Sequence, residues 1–334
     1  MAFYLGIDGG GSKTTCAVGD EKSVLARATA GPSNIVRVGE ARARESLHAC
    51  VQSACEIAAV DLSQIACTCV GAAGAARPAV ASAVRQALAE ILFSPIEVLG
   101  DMQIALEAAF AGAPGVIVIA GTGSIAYGRN ADGTEARAGG HGGATSDEGS
   151  GHWIGKQAVV ALIASEKNSG GQKQGHGHAA GGLSETFITG LQRAWGVESI
   201  GDLIRKATSD GAADFSLLFP AVLSAAEAGD KSACEILAQA GLELGKLATE
   251  VIRPLFGEPE VLRSSGANAS PHGAQVVPLA MVGGVFRHAP IVREVFYNQI
   301  RECDRRVAVS LEVVDPIEGA LRVARRSAGK PASP

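Results

Sequence analysis

The sequence has no long apolar run: within its 334 residues, none approaches the ~20 apolar residues that a membrane-spanning helix needs. The first residues also lack the basic flank and the cleavage site of a secretory signal peptide. We therefore expect a cytoplasmic protein that has no membrane partner.

Paired cysteines and a basic surface are absent as well. The seven cysteines are dispersed and form no C-x-x-C pair, which favours buried thiols over disulfides or a zinc site. Lys and Arg number 29 against 34 Asp and Glu, and they are scattered along the chain. A nucleic-acid binder would instead gather its cations into a stripe that follows the phosphate backbone. We therefore expect no nucleic-acid partner.

Glycine, in contrast, is abundant: the chain has 43 glycines, well above the roughly 7% of an average protein. Tight turns or close contacts with a ligand have to account for this excess. The length also exceeds the size at which a single core stops growing. We therefore expect two domains with a cleft between them.

Strands and helices alternate along the chain, which predicts an α/β fold. Apolar and β-branched segments predict strands at 3–8, 14–18, 24–28, 65–70, 96–99, 116–120, 125–128, 276–282 and 307–313. Apolar residues at helical spacing predict helices at 40–59, 78–92, 102–110, 149–165, 184–194, 199–208, 231–252, 290–302 and 316–326. Residues 167–183 and 257–274 have the composition of loops.

One local design occurs twice in this layout. IDGGGSKTTCAVG at 7–19 and IAGTGSIAYG at 119–128 each read as an apolar strand, a turn of Gly, Ser and Thr, and a returning strand. Such self-similarity indicates two related halves. We place the boundary between them near Ala113 and Pro114.

The first glycine turn is the strongest chemical signal in the sequence. Gly10 and Gly11 allow backbone amides to approach an anion, while Ser12, Lys13 and Thr14 add hydroxyl donors and a positive charge. The segment is not a Walker A loop, since Ser12 precedes the lysine and the turn returns into a strand. It also lacks the third glycine of G-x-G-x-x-G. We interpret it as a phosphate site, with a glycine-rich hairpin that binds nothing as the alternative.

The second glycine turn offers similar donors in the second half of the chain, at Gly121, Thr122, Gly123 and Ser124. A single loop of this kind is a weak signal. Two related loops that face each other across a cleft can hold a polyphosphate from both sides.

Together with Asp101 and the glycine pair at 283–284, these turns resemble the actin-like sugar kinase superfamily of actin, heat-shock 70 proteins and hexokinase. Within it, the segments DGGGSKT, SDEGSGHWIG and AMVGGVF are similar to the N-acetylglucosamine kinase and BadF/BcrA-type ATPase family. The resemblance runs from residue 4 to about residue 325. It implies two ribonuclease H-like domains of the actin-like ATPase fold, residues 1–113 and 114–315, with an interdomain cleft. The terminal helix, 316–326, would pack back on the first domain.

The resemblance also implies roles in binding ATP and Mg²⁺. Residues 8–14 and 119–124 would be the two phosphate motifs, and Gly283 and Gly284 would lie against the nucleotide. Asp8 would hold Mg²⁺ through water. Asp101 would accept the proton of the attacking sugar hydroxyl. By residue type alone, Asp101 is equally well explained as the N-cap of the helix at 102–110.

The sugar-binding residues implied by the resemblance lie in three segments. Asp147 and Glu148 would hold sugar hydroxyls, although Ser146 as an N-cap followed by two acids in a first helical turn is an alternative. Further residues would line the sugar pocket, with turns as the alternative for the first three: Asn34, Gly71, Ala72 and His141. The last of these stands where amino-sugar kinases of this family usually carry Trp, which leaves the identity of the sugar open.

The sequence therefore predicts an ATP- and Mg²⁺-dependent kinase of the 6-hydroxyl of an amino sugar. N-acetylglucosamine is the first candidate, with glucosamine and N-acetylmuramic acid as others. Two further classes remain: an ATPase activator of a partner enzyme, and a sugar-sensing binding protein without catalysis. An activator of this family needs cysteines for an iron–sulfur cluster, and Cys16 alone lies near a glycine turn. The helices at 231–252 and 290–302 are candidates for a homodimer face.

Overall fold

The computed structural model describes residues 2–141, 147–169, 183–209, 213–258 and 276–328. Contacts divide the chain into two compact units. The first extends to Ile117 and resumes at Val314, and the second spans Val118–Val313. No helix in the described ranges is both long and apolar enough to cross a membrane.

The first unit is built on a sheet that has five strands in the described part of the chain, in the order β3-β2-β1-β4-β5. β1 is antiparallel to β2 and parallel to β4, and β5 is parallel to β4. The strands are β1 (Phe3–Gly9), β2 (Thr14–Gly19), β3 (Val24–Ala30), β4 (Ile65–Ala72) and β5 (Ile96–Gly100).

The second sheet, again counted over the described residues, has five strands in the order β10-β9-β6-β7-β8. Its strands are β6 (Gly115–Ala120), β7 (Ser124–Arg129), β8 (Glu135–Gly139), β9 (Val277–Val282) and β10 (Val307–Val314). Written from its other edge, this order matches that of the first sheet, strand for strand. The two sheets therefore share one strand order, as two related halves would.

Helices cover and connect the sheets. The described helices are α1 (Ile35–Val38), α2 (Glu40–Ala58), α3 (Pro78–Ala89), α4 (Asp101–Phe110), α5 (Gly151–Ser169), α6 (Glu185–Trp195), α7 (Ile200–Thr208), α8 (Phe219–Glu227), α9 (Lys231–Phe256), α10 (Gly284–His288), α11 (Pro290–Cys303) and α12 (Pro316–Ser327).

The predicted elements agree with these bounds to within a few residues, but α1, β8, α8 and α10 were not predicted. β8 has only five residues and contains none of the β-branched or aromatic side chains on which strand prediction depends. The predicted loops at 167–183 and 257–274 lie mostly outside the described residues, which leave out 170–182 and 259–275.

The first sheet is covered by helices on both faces. Leu5 and Ile7 of β1 pack with Leu47 and Val51 of α2 on one face. Tyr4 and Cys69, on the other face, pack with α4 and α12 in a cluster that includes Cys67, Ile104, Ile317 and Leu321. All seven cysteines lie in described ranges and are free thiols. Five are buried, as expected, whereas Cys234 is partly buried and Cys303 is exposed.

Helices α4 and α12 approach each other closely at Gly319. A Cβ atom at this glycine would lie 1.9 Å from the carbonyl oxygen of Ile104 and 2.6 Å from the amide nitrogen of Ala108. Arg326 donates to the carboxylate of Glu107 at 3.1 Å, and Arg322 donates to the Glu107 carbonyl oxygen. The position of α4, and hence of Asp101 at its start, therefore depends on its contact with α12.

We expect Gly319→Ala to lower the melting temperature by several degrees, because the added methyl group overlaps backbone atoms that cannot move without shifting α4. Gly201→Ala in α7 is the matched control, since the nearest atom to its Cβ would be Ser199 Oγ at 3.7 Å. That variant should keep or raise the melting temperature, because alanine favours the helix. Equal melting temperatures for the two variants would contradict the close approach of α4 and α12.

Candidate functional site

The first glycine turn joins β1 to β2 and is closed by a hydrogen bond from the Gly10 amide to the Lys13 carbonyl oxygen, 3.0 Å. The Gly10 carbonyl oxygen in turn accepts from the amides of Ser33 and Asn34, at 3.2 Å each. Ser12 and Lys13 are exposed and Gly11 is partly exposed. The tip of the turn therefore stays accessible, while its base is fixed to the segment at 31–34.

Thr14 is not part of the accessible tip. Its side chain is fully buried, and its hydroxyl donates to the Gly31 carbonyl oxygen at 2.8 Å. The hydroxyl oxygen also lies 2.7 Å from Ser33 Oγ. The predicted phosphate contact of the Thr14 hydroxyl is thus replaced by contacts inside the protein.

Asn34, Gly71 and Ala72 lie near this turn, but they differ in the groups that they can present to a ligand. Asn34 is the N-cap of α1, and its Oδ1 accepts from the Val36 amide at 3.1 Å. Gly71 and Ala72 are not turn residues: they end β4, where they pair with Asp8 and Gly9 of β1. Both are buried, so their backbone groups, not side chains, are what they can present to a ligand.

Two half-buried carboxylates, Asp8 and Asp101, stand at the carboxyl ends of β1 and β5. Burial, together with the negative charges of Asp101 and Asp315, raises the pKa of Asp8 from 3.8 to about 7, and Lys13 opposes this shift. Burial also raises the pKa of Asp101, against the hydrogen bond from the Met102 amide. The arrangement concentrates negative charge beside the first glycine turn.

Asp101 is not the N-cap that its residue type allowed. The cap of α4 is Gly100, whose amide donates to Gln103 Oε1 at 2.9 Å. Asp101 is the first helical residue, and its Oδ1 accepts from the Met102 amide at 3.0 Å. Capping therefore leaves the Asp101 carboxylate available for another task.

The donor set fits Mg²⁺ better than a fully protein-bound metal. Within the described residues there is no group of three or more His, Cys, Asp or Glu side chains that could hold a metal ion. Mg²⁺ typically takes one or two carboxylates and completes its shell with water and substrate phosphates. A cation near Asp8 and Asp101 would also offset their mutual repulsion.

The second glycine turn joins β6 to β7 and is closed by a hydrogen bond from the Gly121 amide to the Gly123 carbonyl oxygen, 2.9 Å. A Cβ atom at Gly121 would meet no atom within 4 Å, so this side of the turn has room for a ligand. Ser124 differs from the predicted phosphate donor. It is buried, its amide donates to Asp147 Oδ1 at 3.2 Å, and its hydroxyl donates to the Glu148 carbonyl oxygen at 2.8 Å.

Asp147 and Glu148 precede α5 and do not lie in its first turn. The helix begins at Gly151, and the Ser150 hydroxyl accepts from the Trp153 amide at 3.1 Å. The alternative of Asp147 and Glu148 as first-turn acids is therefore wrong, and Ser146 lies outside the described residues. Burial and Glu148 raise the pKa of Asp147, while the Ser124 amide and His141 lower it. The structure thus brings His141, Asp147 and the second glycine turn together.

Gly283 and Gly284 lead from β9 into α10. Gly283 has a φ of 103°, and a Cβ atom there would lie 2.4 Å from the Ala120 carbonyl oxygen. Only glycine fits this conformation and contact. The predicted adenosine segment therefore meets the end of β6 next to the second glycine turn.

Sequence reasoning did not identify Asp315 as a neighbour of Asp8. Asp315 is the N-cap of α12, and its carboxylate also pairs with Arg27. The signal for the cap was the Asp-Pro pair before a helix, but nothing local connects residue 315 with residue 8.

Comparisons with known proteins find a matching family model and several similar proteins. The sequence model described as the BadF/BadG/BcrA/BcrD ATPase family matches residues 5–324. The N-acetylmuramic acid/N-acetylglucosamine kinase of Clostridium acetobutylicum is 36% identical over 167 residues, which cover 49% of this chain and 55% of that protein. The aligned part thus spans little more than half the length of that relative.

Two further relatives match over nearly the whole chain. The N-acetyl-D-glucosamine kinase of Dictyostelium discoideum is 28% identical over 339 residues, covering 97% of this chain and 98% of that protein. A solved structure assigned as an N-acetylglucosamine kinase of Chromobacterium violaceum has a TM-score of 0.69 and 25% identity, covering 96% of this chain and 98% of that chain. The prediction of an α/β fold of the actin-like ATPase type is confirmed.

We expect Asp8→Asn to raise the melting temperature of the metal-free protein at pH 8 and to do so less at pH 5. The reason is that Asp8 has a folded-state pKa of about 7, so its ionised form destabilises the folded protein above that pH. Below it the wild-type carboxyl takes up a proton, and the destabilisation fades. Thermal melts in buffer containing a chelator measure the difference.

Asp20→Asn is a control for which we expect the melting temperature to fall and not to rise. The Asp20 carboxylate accepts from the amides of Lys22 and Ser23, which lower its pKa. Its loss should reduce the melting temperature by similar amounts at pH 5 and pH 8, since Asp20 is ionised at both. A stabilisation by Asp8→Asn that does not change with pH would contradict the raised pKa of Asp8.

Proposed function

The chain belongs to the BadF/BadG/BcrA/BcrD ATPase family, and on that premise we propose that it is a kinase that transfers the γ-phosphate of ATP to the 6-hydroxyl of an amino sugar. N-acetylglucosamine is the first candidate, in keeping with the names of the relatives. The observation that carries the proposal is the pair of half-buried carboxylates, Asp8 and Asp101, beside the first glycine turn.

Asp101 is the proposed base. The Met102 amide orients its carboxylate, and burial raises its pKa towards the pH at which proton transfer is efficient. Asp101 would take the proton of the 6-hydroxyl while the sugar oxygen forms its bond to the γ-phosphorus. The bond from that phosphorus to the bridging oxygen breaks, and ADP leaves with the electron pair.

Asp8 is the proposed carboxylate for Mg²⁺, held through water. When bound, Mg²⁺ neutralises the charge on the phosphates. A cation at this place also favours the ionised form of Asp8 over the protonated form that its raised pKa otherwise supports. Asp8 and Asp101 therefore have different tasks, one with the metal and one with the sugar.

The accessible parts of the glycine turns are the proposed phosphate contacts. In the first turn these are Gly11, Ser12 and Lys13, and in the second they are Thr122 and Gly123. Backbone amides of this kind stabilise charge that develops during transfer. The amides of Gly10 and Gly121 close the turns, so these two residues would contribute only the room left by their missing side chains. Gly283 and Gly284 would contact the nucleoside. Asn34, His141, Asp147 and Glu148 are the proposed sugar contacts, with the backbone of Gly71 and Ala72 nearby.

A sugar-dependent kinase is favoured over an ATPase activator of a partner enzyme by the state of Cys16. This cysteine is fully buried in the first sheet, and burial raises its pKa. A cluster ligand has to be an accessible thiolate.

We expect release of ADP from ATP to depend on an added sugar, with N-acetylglucosamine giving the highest kcat/KM among N-acetylglucosamine, glucosamine, N-acetylmuramic acid and glucose. A blank without sugar is the control. Phosphorus coupling to C6 in the NMR spectrum of the product identifies the acceptor oxygen. Equal ADP release without sugar would instead indicate an ATPase, and sugar binding without phosphate transfer would indicate a sensor.

We expect Asp101→Asn to reduce sugar-dependent turnover by about 10²–10⁴-fold, because the amide cannot accept the proton. Binding of a non-hydrolysable ATP analogue, measured by calorimetry, should remain. Asp132→Asn, in the exposed turn between β7 and β8, is the matched control and should keep normal turnover. Near-normal turnover of Asp101→Asn would remove Asp101 from the role of base.

A further inference from the structure

Ser124, the first residue of β7, directs both of its hydrogen-bond donors away from the accessible side of the second glycine turn. We propose that Ser124 is a positioning residue: it holds Asp147 and Glu148 in the conformation that binds the sugar and does not contact the phosphates. This inference rests on the proposed function, and it deepens it by naming what fixes the sugar contacts.

The hydrogen bonds of Ser124 carry the first step. Its amide donates to Asp147 Oδ1 at 3.2 Å, and its hydroxyl donates to the Glu148 carbonyl oxygen at 2.8 Å. The residue is 2% exposed. A phosphate could reach these donors only by breaking both contacts and opening the buried side of the turn.

The backbone of Asp147 carries the second step. Its φ of 104° lies where residues other than glycine are rarely found. Such a conformation persists only when its surroundings hold it in place. The Ser124 amide holds the side chain, and the Ser150 amide donates to the Asp147 carbonyl oxygen at 3.0 Å.

The fit between the turn and the acidic loop carries the third step. A Cβ atom at Gly123 would lie 3.0 Å from each carboxylate oxygen of Asp147, so the carboxylate packs directly on the turn. The Gly151 amide donates to the Gly121 carbonyl oxygen at 2.8 Å, and the His152 amide donates to that of Thr122 at 3.2 Å. The turn and the loop at 147–152 therefore form one hydrogen-bonded structure.

Substitution of Ser124 by alanine distinguishes a positioning residue from a phosphate contact, because it removes the hydroxyl and keeps the amide. We expect the sugar KM of Ser124→Ala to rise about fivefold to tenfold, the effect of one lost hydrogen bond. Its kcat and its affinity for a non-hydrolysable ATP analogue, measured by calorimetry without sugar, should change by less than about twofold.

Two further variants serve as controls. Ser150→Ala removes a capping bond from the same loop, so it should lower the melting temperature while the sugar KM stays nearly unchanged. Ser12→Ala removes an exposed hydroxyl from the first turn and should weaken the ATP analogue without affecting the sugar KM. Ser124→Cys, which keeps a weaker donor of similar shape, covers the case in which Ser124→Ala does not fold, and it should give an intermediate sugar KM.

Weaker binding of the ATP analogue by Ser124→Ala, with an unchanged sugar KM, would make Ser124 a phosphate contact and overturn the proposal. A parallel loss of both affinities, or an unchanged sugar KM in both Ser124 variants, would overturn it as well. Failure of the proposed function has a separate signature, since wild-type protein would then show no sugar-dependent ADP release.

Discussion

The burial of the Asp8 carboxyl beside Asp101 is the constraint on which the candidate site of the first unit depends. Burial is the largest cause of the raised pKa of Asp8, and the negative charge of Asp101 adds to it. Here the parallel register of β1, β4 and β5 fixes their distance, because Asp8 pairs with Gly71 and Ala72 pairs with Gly100, the residue before Asp101. The sheet thus holds the two carboxylates close together at an electrostatic cost, and the cation that we propose for this site would relieve that cost.

The helix that carries Asp101 is fixed from the other side by α12. Gly319 lets α12 approach the backbone of α4, and Glu107 receives two arginines from α12. The segment leading into α12 also supplies Asp315, which adds negative charge near Asp8. The contact of α12 with α4 therefore fixes the place of Asp101, while the charge of Asp315 contributes to the raised pKa of Asp8, the proposed metal ligand. The short segment at 315–319 therefore both contacts α4 through Gly319 and adds negative charge near Asp8 through Asp315.

Features of the fold and of the candidate site that depend on local signals could be predicted from the sequence, and features that depend on contacts between distant residues could not. The strands that end at Asp8 and before Asp101 were predicted because apolar runs stop at Gly and Asp, a local signal. β8 was missed because it is short and has no β-branched or aromatic residue. The inward direction of Thr14 and Ser124 escaped for a different reason: their partners lie 17 to 24 residues away, and a Gly-Ser-Thr turn has the same composition whether its hydroxyls face a ligand or the core. The composition predicted the turns, but only the packing shows which of their hydroxyls face the interior of the protein.

Both glycine turns, one in each half of the chain, have an accessible side and a buried side. Thr14 begins the returning strand of the first half, and Ser124 begins that of the second. Each is buried, and each uses its hydroxyl to tie a later segment to the glycine turn: Gly31 and Ser33 before Asn34 in one half, and Glu148 beside Asp147 in the other. Both later segments carry proposed sugar contacts. The two halves therefore share both their strand order and a buried hydroxyl that fixes the segment following the glycine turn. In each half, the residue that begins the returning strand positions that segment from the buried side of the turn, and the tip of the turn stays accessible.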